Sequence, residues 1–171
     1  RAHRKGASVM GICGGYQMMG MEVRDPDGVE GDIRQLPGLG LLPMITTMQG
    51  EKVTRRVAFH FRDNETVCRG YEIHMGETEL VPGSPVSPLN KLEDGKADGY
   101  FVDRKCMGSY IHGILDNQVF IDFLLEPYAD KLHRQSQDYE AYKEEQYDKL
   151  AAHVRKHLNL PLLYQIMCKN D

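Results

Sequence analysis

The chain has 171 residues, of which 41% are hydrophobic and 27% charged, and this composition predicts one compact soluble domain and excludes a chain that is disordered throughout. The sequence contains no run of about eighteen apolar residues, which excludes a membrane-spanning helix and a membrane as partner. Lys and Arg number 21 against 25 Asp and Glu, and the net charge of −4 leaves no basic excess for a phosphate backbone, so no nucleic acid partner is expected.

The sequence pattern of the first half of the chain predicts a strand, a helix, a loop and a small sheet, in that order. Residues 7–12 are short and apolar, as in a buried strand, and after the turn CGG at residues 13–15 a helix is expected over residues 16–21. Residues 25–43 are rich in Gly, Pro and Asp, which predicts a surface loop. Between residues 44 and 80 the alternation of β-branched or aromatic residues with polar ones predicts two or three antiparallel strands.

The second half predicts a hairpin and two helices. Residues 81–99 are rich in Pro, Ser and Gly and are expected to form a loop. Strands are then predicted over residues 99–102 and 107–111, closing as a hairpin. A helix is predicted over residues 118–125 and another over residues 139–158, because apolar residues recur there at helical spacing.

The first of these helices has recognisable start and stop signals. Asp116 and Asn117 are typical capping residues and stand directly before it. Pro127 follows the apolar stretch, so the helix is expected to end near that residue.

A cysteine follows the first predicted strand and precedes two glycines and a helix, in the segment GICGGYQ at residues 11–17. The glycines are expected to permit a sharp turn that presents the sulfur of Cys13, and the N-terminus of the following helix would favour the thiolate. The N–H of Gly14 is then the expected oxyanion donor for a tetrahedral intermediate. The alternative is a structural cysteine buried where the strand ends.

This segment resembles the nucleophile motif of class I glutamine amidotransferases, Gly-apolar-Cys-x-Gly-x-Gln, which it matches at Gly11, Cys13, Gly15 and Gln17. The resemblance implies an α/β, flavodoxin-like domain with a mixed sheet. It also implies that Cys13 attacks the side-chain amide of glutamine, releases ammonia and leaves a glutamyl thioester that water cleaves. Gln17, together with Gly14 and Gly15, would then line the pocket for glutamine as substrate.

A nucleophilic cysteine needs a base that takes its proton and returns it to the departing ammonia. The chain has seven histidines, and one of them lies in GSYIHG at residues 108–113. This segment resembles the Gly-Thr-Tyr-x-His-Gly segment of the subgroup that builds the side-chain amides of cobalamin, which implies His112 as the base. The alternative is a solvated histidine or one that is satisfied in the core.

The third member of the usual catalytic triad is missing from its expected place. Most class I members carry a glutamate two residues after this histidine, where the present chain has Ile114. The cobyric and cobyrinic acid amidotransferases resemble this chain in having a Cys-His pair without that glutamate. A main-chain carbonyl or an acid from another segment is left to orient His112, and the sequence does not decide between them.

A second segment, RGYEIHMG at residues 69–76, resembles the Gly-Tyr-Glu-Ile-His-x-Gly segment of cobyric acid synthases. Cobyrinic acid a,c-diamide synthases carry a related but different His-Glu-Phe-His type. Strand alternation places Glu72 and His74 on one face, so both are candidates for binding substrate near the thiol. Taken alone, the pattern also fits an exposed ion pair on a strand.

The remaining cysteines, histidines and methionines are not expected to form functional sites. The four cysteines include no Cys-x-x-Cys pair, which argues against zinc and disulfides and predicts a reducing, cytoplasmic compartment. His153 and His157 have metal-compatible spacing but no third ligand nearby in the sequence, so no metal site is expected. The methionines at positions 10, 18, 19 and 21 are expected to fill the core.

Amidation of a carboxylate requires its activation, usually by ATP, and the sequence has no phosphate-binding loop, so no cofactor is expected on this chain. The resemblance implies that a cobyric acid synthase carries this step on an N-terminal synthetase domain, which uses ATP and Mg²⁺ and takes the corrinoid substrate. Residues 1–171 are expected to be the C-terminal part of the amidotransferase domain. Because the chain starts with Arg and has only twelve residues before Cys13, it is expected to lack earlier strands and a glycine loop of the oxyanion hole.

The predicted function is the glutaminase part of a cobyric acid synthase, which supplies ammonia for amidation of corrin-ring carboxylates. Within the same class of enzyme, the alternatives are a cobyrinic acid a,c-diamide synthase and the amidotransferase partner for peptidoglycan precursors. From another class, the alternative is a non-catalytic amidotransferase-like module that binds a partner.

We expect residues 1–171 alone to release little ammonia from glutamine, because loss of an oxyanion-hole donor costs on the order of a hundredfold in rate. A coupled assay of ammonia release measures this. Turnover by the isolated chain as fast as that of the full-length gene product would contradict the expectation.

Overall fold

The computed structural model describes residues 1–131 and 139–168 and contains two compact units, Arg1–Pro127 and a second that begins at Tyr128. The strands are, in chain order, β1 Val9–Ile12, β2 Glu22–Arg24, β3 Gln35–Pro37, β4 Met44–Phe61, β5 Val67–Leu80, β6 Asn90–Leu92, β7 Ala97–Asp98, β8 Tyr100–Asp103 and β9 Cys106–Ser109. The helices are α1 Gly14–Met19, α2 Gln118–Leu125, α3 Tyr139–His157 and α4 Leu160–Met167, and short 3₁₀ turns span His3–Lys5, Ile114–Asp116 and Glu126–Lys131. None of the helices in the described part of the chain is long and apolar enough to cross a membrane.

The smaller sheet carries the cysteine segment. Its strand order is β1, β9, β8, with β9 parallel to β1 and antiparallel to β8. The pairing sets Ile12 opposite Ser109, so Cys13 and Tyr110 leave the sheet side by side. The predicted hairpin of β8 and β9 is confirmed, although β9 ends at Ser109, two residues earlier than predicted, because the next two N–H groups bond to side chains.

The larger sheet has six strands, in the order β3, β2, β4, β6, β7, with β5 paired to β4. β4 and β5 form one long antiparallel hairpin, which confirms the prediction of antiparallel strands between residues 44 and 80. An isolated antiparallel bridge from Tyr71 to His112 joins β5 to the segment that follows β9. The predicted α/β fold with mixed sheets is confirmed, and it is consistent with a flavodoxin-like amidotransferase domain.

Several short elements were not predicted from the sequence. β3 falls within the predicted loop at residues 25–43, and β6 and β7 fall within the one at residues 81–99. These strands have only two or three residues each, which is too short for a period-two pattern to show. α1 begins at Gly14, two residues before the prediction, and ends at Met19 because Gly20 adopts an extended backbone. α3 matches its prediction to within a residue, whereas α4 was not predicted.

The start of α2 differs from the prediction in one respect. α2 spans Gln118–Leu125 and Asn117 occupies its N-cap position, both as predicted, but the side chain of Asn117 makes no capping bond. Its amide instead accepts the N–H of Arg69 (2.8 Å) and donates to the carbonyl of Arg69 (2.9 Å). Asn117 therefore ties the helix to β5.

Two apolar clusters form the core of the first unit. One contains Phe59, Phe61, Cys68, Leu89, Ile111, Ile114 and Phe120, and the other contains Tyr16, Met19, Leu42, Met44, Tyr100, Cys106 and Tyr110. The prediction that the methionines fill the core is right for Met19 and for Met10, which is partly buried against the first cluster. It is wrong for Met18 and Met21, which are 60% and 50% exposed. Met18 and Met19 are neighbours on α1 and therefore lie on different faces of the helix.

We expect Phe120→Ala to lower the free energy of unfolding by about 3–5 kcal/mol, because a fully buried ring is replaced by a cavity. The ring of Phe120 packs edge to face on that of Phe61, with centroids 5.0 Å apart. Urea denaturation followed by circular dichroism measures the change. Val86→Ala, at a side chain that is 80% exposed, is the control and should change stability by less than about 0.5 kcal/mol. Equal losses in the two variants would contradict the assignment of the core.

Candidate active site

Cys13 lies at the turn between β1 and α1, with a φ of 52° and a ψ of −116°. A positive φ is unfavourable for a residue with a side chain, and it persists only where the surrounding structure imposes it. Here the N–H of Cys13 donates to the carbonyl oxygen of Ser109 (2.9 Å) as the last bond of the β1–β9 pairing. The strand therefore ends and the helix begins at one strained residue, which is the geometry of a nucleophile elbow.

The glycines around Cys13 serve different purposes from those expected. We expected Gly14 and Gly15 to permit the sharp turn, but the positive φ falls on Cys13 itself and both glycines belong to α1. A Cβ at Gly14 or Gly15 would meet no atom within 4 Å, so their lack of side chains leaves open space. Gly11 is the sterically required glycine, because a Cβ there would lie 2.6 Å from the carbonyl oxygen of Gly15.

The thiol of Cys13 is half-buried and faces a cleft of about 590 Å³. Its Sγ donates to the carbonyl oxygen of Ile73 on β5 (3.3 Å). The cleft is lined by residues that include Cys13, Gly14, Gln17, Asp32, Lys52 and His74. The sulfur is therefore held by hydrogen bonding at the wall of an open cleft, where a small ligand has access to it.

Charged residues of both signs line this cleft, and sequence reasoning missed them. Lys52 lies where the pairing of β4 with β5 is interrupted, between Met48 and Val53, and such irregularities redirect side chains. Glu30 and Asp32 lie on the loop between β2 and β3. A cleft with an ammonium group and carboxylates beside a thiol suits a zwitterionic amino acid.

The loop between β2 and β3 is held by Asp25. One carboxylate oxygen of Asp25 accepts the N–H of Val29 (2.7 Å) and the other accepts the N–H of Glu30 (2.8 Å). The bond from Glu30 is the main reason that the pKa of Asp25 lies below its usual value. Asp25 therefore gives this wall of the cleft a defined shape.

His112 is held by the backbone and by one aromatic ring. Its N–H donates to the carbonyl of Tyr71 (2.8 Å), and its carbonyl accepts the N–H of Tyr71 (3.1 Å). The imidazole stacks on the ring of Tyr71, with centroids 5.0 Å apart and an interplanar angle of 7°. Its Nε2 is buried and has no hydrogen-bond partner among the residues that the structure describes. Stacking on Tyr71 thus orients the ring, and one ring nitrogen is left without a bond.

β5 brings Cys13 and His112 to adjacent places in the fold. The carbonyl of Ile73 on this strand bonds to the thiol, and the backbone of Tyr71 pairs with His112. Tyr71 and Ile73 are two residues apart, which is about 6.6 Å along the strand. The two predicted catalytic residues thus share one supporting strand. His112 does not line the cleft that contains the thiol.

His74 is the predicted residue that lines the cleft from β5. Its Nδ1 lies 2.8 Å from the carbonyl oxygen of Gly76, so in a neutral ring Nδ1 carries the proton and Nε2 is an acceptor. The ring of His74 stacks on that of Tyr110, with centroids 3.8 Å apart. His74 is therefore fixed in position, and in tautomer when its ring is neutral.

Tyr110 connects several predicted site residues, although sequence reasoning did not single it out. Its hydroxyl accepts the side-chain amide N–H of Gln17 (3.3 Å) and lies 2.5 Å from the hydroxyl of Thr78. Burial raises the pKa of Tyr110, so the phenol stays neutral. Its place within GSYIHG, two residues before His112, was the signal available in the sequence.

Glu72 has a different environment from the one expected near the thiol. It is buried, and its carboxylate accepts the Nε–H of Arg55 (2.5 Å), which raises the pKa of that guanidinium. Arg55 also bonds to Asp94 (3.0 Å). Glu72 and His74 do lie on one face, because both line a second cavity of about 1020 Å³, but Glu72 does not line the cleft of Cys13. The alternative of an exposed pair is also wrong, since Glu72 is only 4% exposed.

Comparison with known proteins gives consistent matches. The profile of the CobB/CobQ-like glutamine amidotransferase domain matches residues 1–120. The chain is 75% identical over 172 residues to a cobyric acid synthase of Phocaeicola vulgatus, covering 100% of this chain and 35% of that protein. It is 69% identical over 171 residues to one of Bacteroides fragilis, covering 100% of this chain and 34% of that protein. A relative of the same name from Parabacteroides distasonis is 50% identical over 166 residues, covering 96% of this chain and 34% of that protein.

The chain thus spans about a third of the length of the curated relatives that it matches. The family resemblance predicted from the cysteine and histidine segments is confirmed by these matches, and this chain belongs to the CobB/CobQ-like glutamine amidotransferase domain family.

Proposed function

We propose that this chain is the glutaminase part of a cobyric acid synthase, which hydrolyses glutamine and supplies ammonia for amidation of corrin-ring carboxylates. The observation that carries the proposal is Cys13, a strained residue between a strand and a helix whose thiol faces an open cleft. The names of the relatives support the corrinoid substrate and, with the YEIH segment at residues 71–74, favour it over the a,c-diamide synthase and peptidoglycan alternatives.

Glutamine is the proposed ligand of the cleft. The ammonium group of Lys52 would bind its α-carboxylate, and the acidic loop with Glu30 and Asp32 would bind its α-ammonium. Gln17, whose amide is already fixed by Tyr110, would contact the side-chain amide of the substrate. Glycine at positions 14 and 15 leaves room for that amide beside the sulfur.

In the proposed reaction, the Cys13 thiolate attacks the amide carbon of the glutamine side chain, and a C–S bond forms. The N–H of Gly14 stabilises the oxyanion of the tetrahedral intermediate. The C–N bond then breaks, His112 gives the proton taken from the thiol to the departing ammonia, and a thioester remains. Water cleaves the thioester to glutamate and regenerates the thiol.

His112 is the proposed base because its Nε2 has no other hydrogen bond and its ring is oriented by Tyr71. Stacking on Tyr71 would take the place of the glutamate two residues further on in holding the ring. Because His112 does not line the cleft of the thiol, the proposed step requires its imidazole to turn toward Cys13 when glutamine binds, and apo sites often show loose catalytic geometry.

The ammonia would be used on an ATP-dependent synthetase domain outside this chain, which binds Mg²⁺ and the corrinoid. There, adenosylcobyrinic acid a,c-diamide would be converted to adenosylcobyric acid. We place the reaction in the cytoplasm. The chain itself is proposed to bind no cofactor.

We expect Cys13→Ala to lower glutamine hydrolysis at least a thousandfold, because the nucleophile is lost. The measurement is ammonia release by the full-length gene product, together with mass-spectrometric detection of labelling by 6-diazo-5-oxo-L-norleucine, an electrophilic glutamine analogue.

Cys168→Ser, at an exposed thiol, is the matched control and should leave both readouts unchanged. Labelling that persists in Cys13→Ala would place the nucleophile elsewhere. A wild-type protein that neither releases ammonia nor reacts with the analogue would favour the non-catalytic binding module.

We expect His112→Asn to lower kcat by about 10²–10⁴-fold, because general acid–base catalysis is lost. His74→Asn should chiefly raise KM for glutamine, because His74 lines the cleft without acting as the base. Steady-state kinetics of both variants measure the split between kcat and KM. The opposite result, with the large loss of kcat in His74→Asn, would transfer the role of base to His74.

A further inference from the structure

Asp98 is a buried acid that the proposed reaction does not use. It lies on β7 and is 6% exposed, and its side chain accepts three hydrogen bonds. Its Oδ1 accepts the N–H of Tyr110 (2.9 Å), and its Oδ2 accepts the hydroxyl of Ser109 (2.6 Å) and the amide of Asn90 (2.8 Å). These three partners are buried too.

Ser109 extends this group of bonds in two directions. Its hydroxyl accepts the N–H of Ile111 (2.9 Å) while donating to Asp98. Its carbonyl oxygen accepts the N–H of Cys13 (2.9 Å), the bond that ends the strand before the nucleophile. Ser109 therefore touches the strained cysteine through its backbone and the segment leading to His112 through its side chain.

The segment between β9 and His112 has no ladder partner for its first two N–H groups. Ser109 ends β9, and the next bridge in the chain is that of His112 with Tyr71. Between them, the N–H of Tyr110 bonds to Asp98 and the N–H of Ile111 bonds to the hydroxyl of Ser109. Two side chains thus fix the path by which the chain reaches His112.

The three groups that contact Asp98 suit a carboxylate at position 98. The three partners all donate: a backbone N–H, a hydroxyl and an amide N–H. A carboxylate only accepts, whereas the NH₂ group of an asparagine in the same place would face a donor. Burial raises the pKa of the Asp98 carboxyl, and the bonds from Ser109, Asn90 and Tyr110 oppose that rise.

We propose that Asp98 and Ser109 form a positioning pair, which holds the backbone of Cys13 and the segment carrying His112 in the arrangement that amide hydrolysis requires. The inference rests on the proposed glutaminase function. Neither residue is assigned contact with glutamine. Their contribution belongs to kcat, because they set where the thiol and the imidazole lie and do not touch the ligand.

The test uses three variants of Ser109 in the full-length gene product. Ser109→Ala removes the hydroxyl, and we expect kcat for ammonia release to fall at least tenfold while KM for glutamine stays within about twofold. Ser109→Thr keeps the hydroxyl, as in the Gly-Thr-Tyr-x-His-Gly segment of the subgroup, and should return kcat to within about threefold of wild type. Ser109→Cys has nearly the size of serine but a weak donor, and should resemble Ser109→Ala.

Asp98→Asn provides the second arm. We expect it to lower kcat as Ser109→Ala does. The kcat of the double variant Ser109→Ala/Asp98→Asn should be no lower than that of the poorer single variant, since both substitutions disrupt one group of bonds. Ser87→Ala is the control, because the hydroxyl of Ser87 is likewise hydrogen-bonded, to the main-chain oxygen of Phe101 (2.6 Å), but makes no bond to Asp98, Cys13 or His112. It should keep kcat within about twofold.

The outcomes separate this proposal from the function on which it rests. A wild-type protein without ammonia release or labelling of Cys13 would refute the glutaminase function itself. An active wild type with unchanged kcat in folded Ser109→Ala and Asp98→Asn, or with Ser109→Thr no better than Ser109→Ala, would overturn the positioning role alone. Failure of Ser109→Ala, Ser109→Cys and Asp98→Asn all to fold would also overturn it, since the bonds would then serve the fold as a whole.

Discussion

The hydrogen bond from the N–H of Cys13 to the carbonyl of Ser109 is the constraint on which the candidate site depends. It is the last bond between β1 and β9, and directly after it the chain must enter α1. Gly11 lets the carbonyl of Gly15 come close to the strand, so the turn has room for a single residue. That residue is Cys13, and its positive φ follows from the bond on one side and the helix on the other.

β5 is the second element that positions the residues of the candidate site. One stretch of it, from Tyr71 to His74, bonds to the thiol, pairs with the backbone of His112 and presents His74 to the cleft. This stretch also pairs with β4 along its other edge. Because both edges of the strand are occupied, the relative positions of thiol and imidazole are set by sheet geometry, which is stiffer than a loop would be.

The parts of the site that could be predicted from the sequence are those encoded by local pattern. The strand, cysteine and helix of residues 9–19 are contiguous, and GSYIHG contains both His112 and Tyr110. Glu72 shows where local pattern stops being sufficient. Strand alternation correctly placed it on the same face as His74, but it could not show that Glu72 forms an ion pair with Arg55 and does not line the cleft of the thiol. The outcome for the glycines beside Cys13 was similar, since motif spacing does not show which residue takes the positive φ.

Asp98 and Lys52 could not have been found by local reasoning at all. Asp98 belongs to a strand of two residues inside a segment that looks like a loop, and its partners come from β6 and β9. Lys52 is one polar residue in an alternating strand, and it reaches the cleft through an irregularity in pairing that depends on the partner strand. Contacts between distant segments decide both positions.

The parallel pairing of β1 with β9 has a consequence for how the protein matures. Val9 pairs with Cys106, so the pairing spans most of the first unit, whereas β4 and β5 are adjacent in the chain. Closing so large a loop costs more entropy than closing a hairpin, and contacts of that kind form slowly. On the ribosome, β1 emerges long before its partner has been translated. The turn that holds Cys13 between β1 and α1 therefore forms only after β9 has been translated.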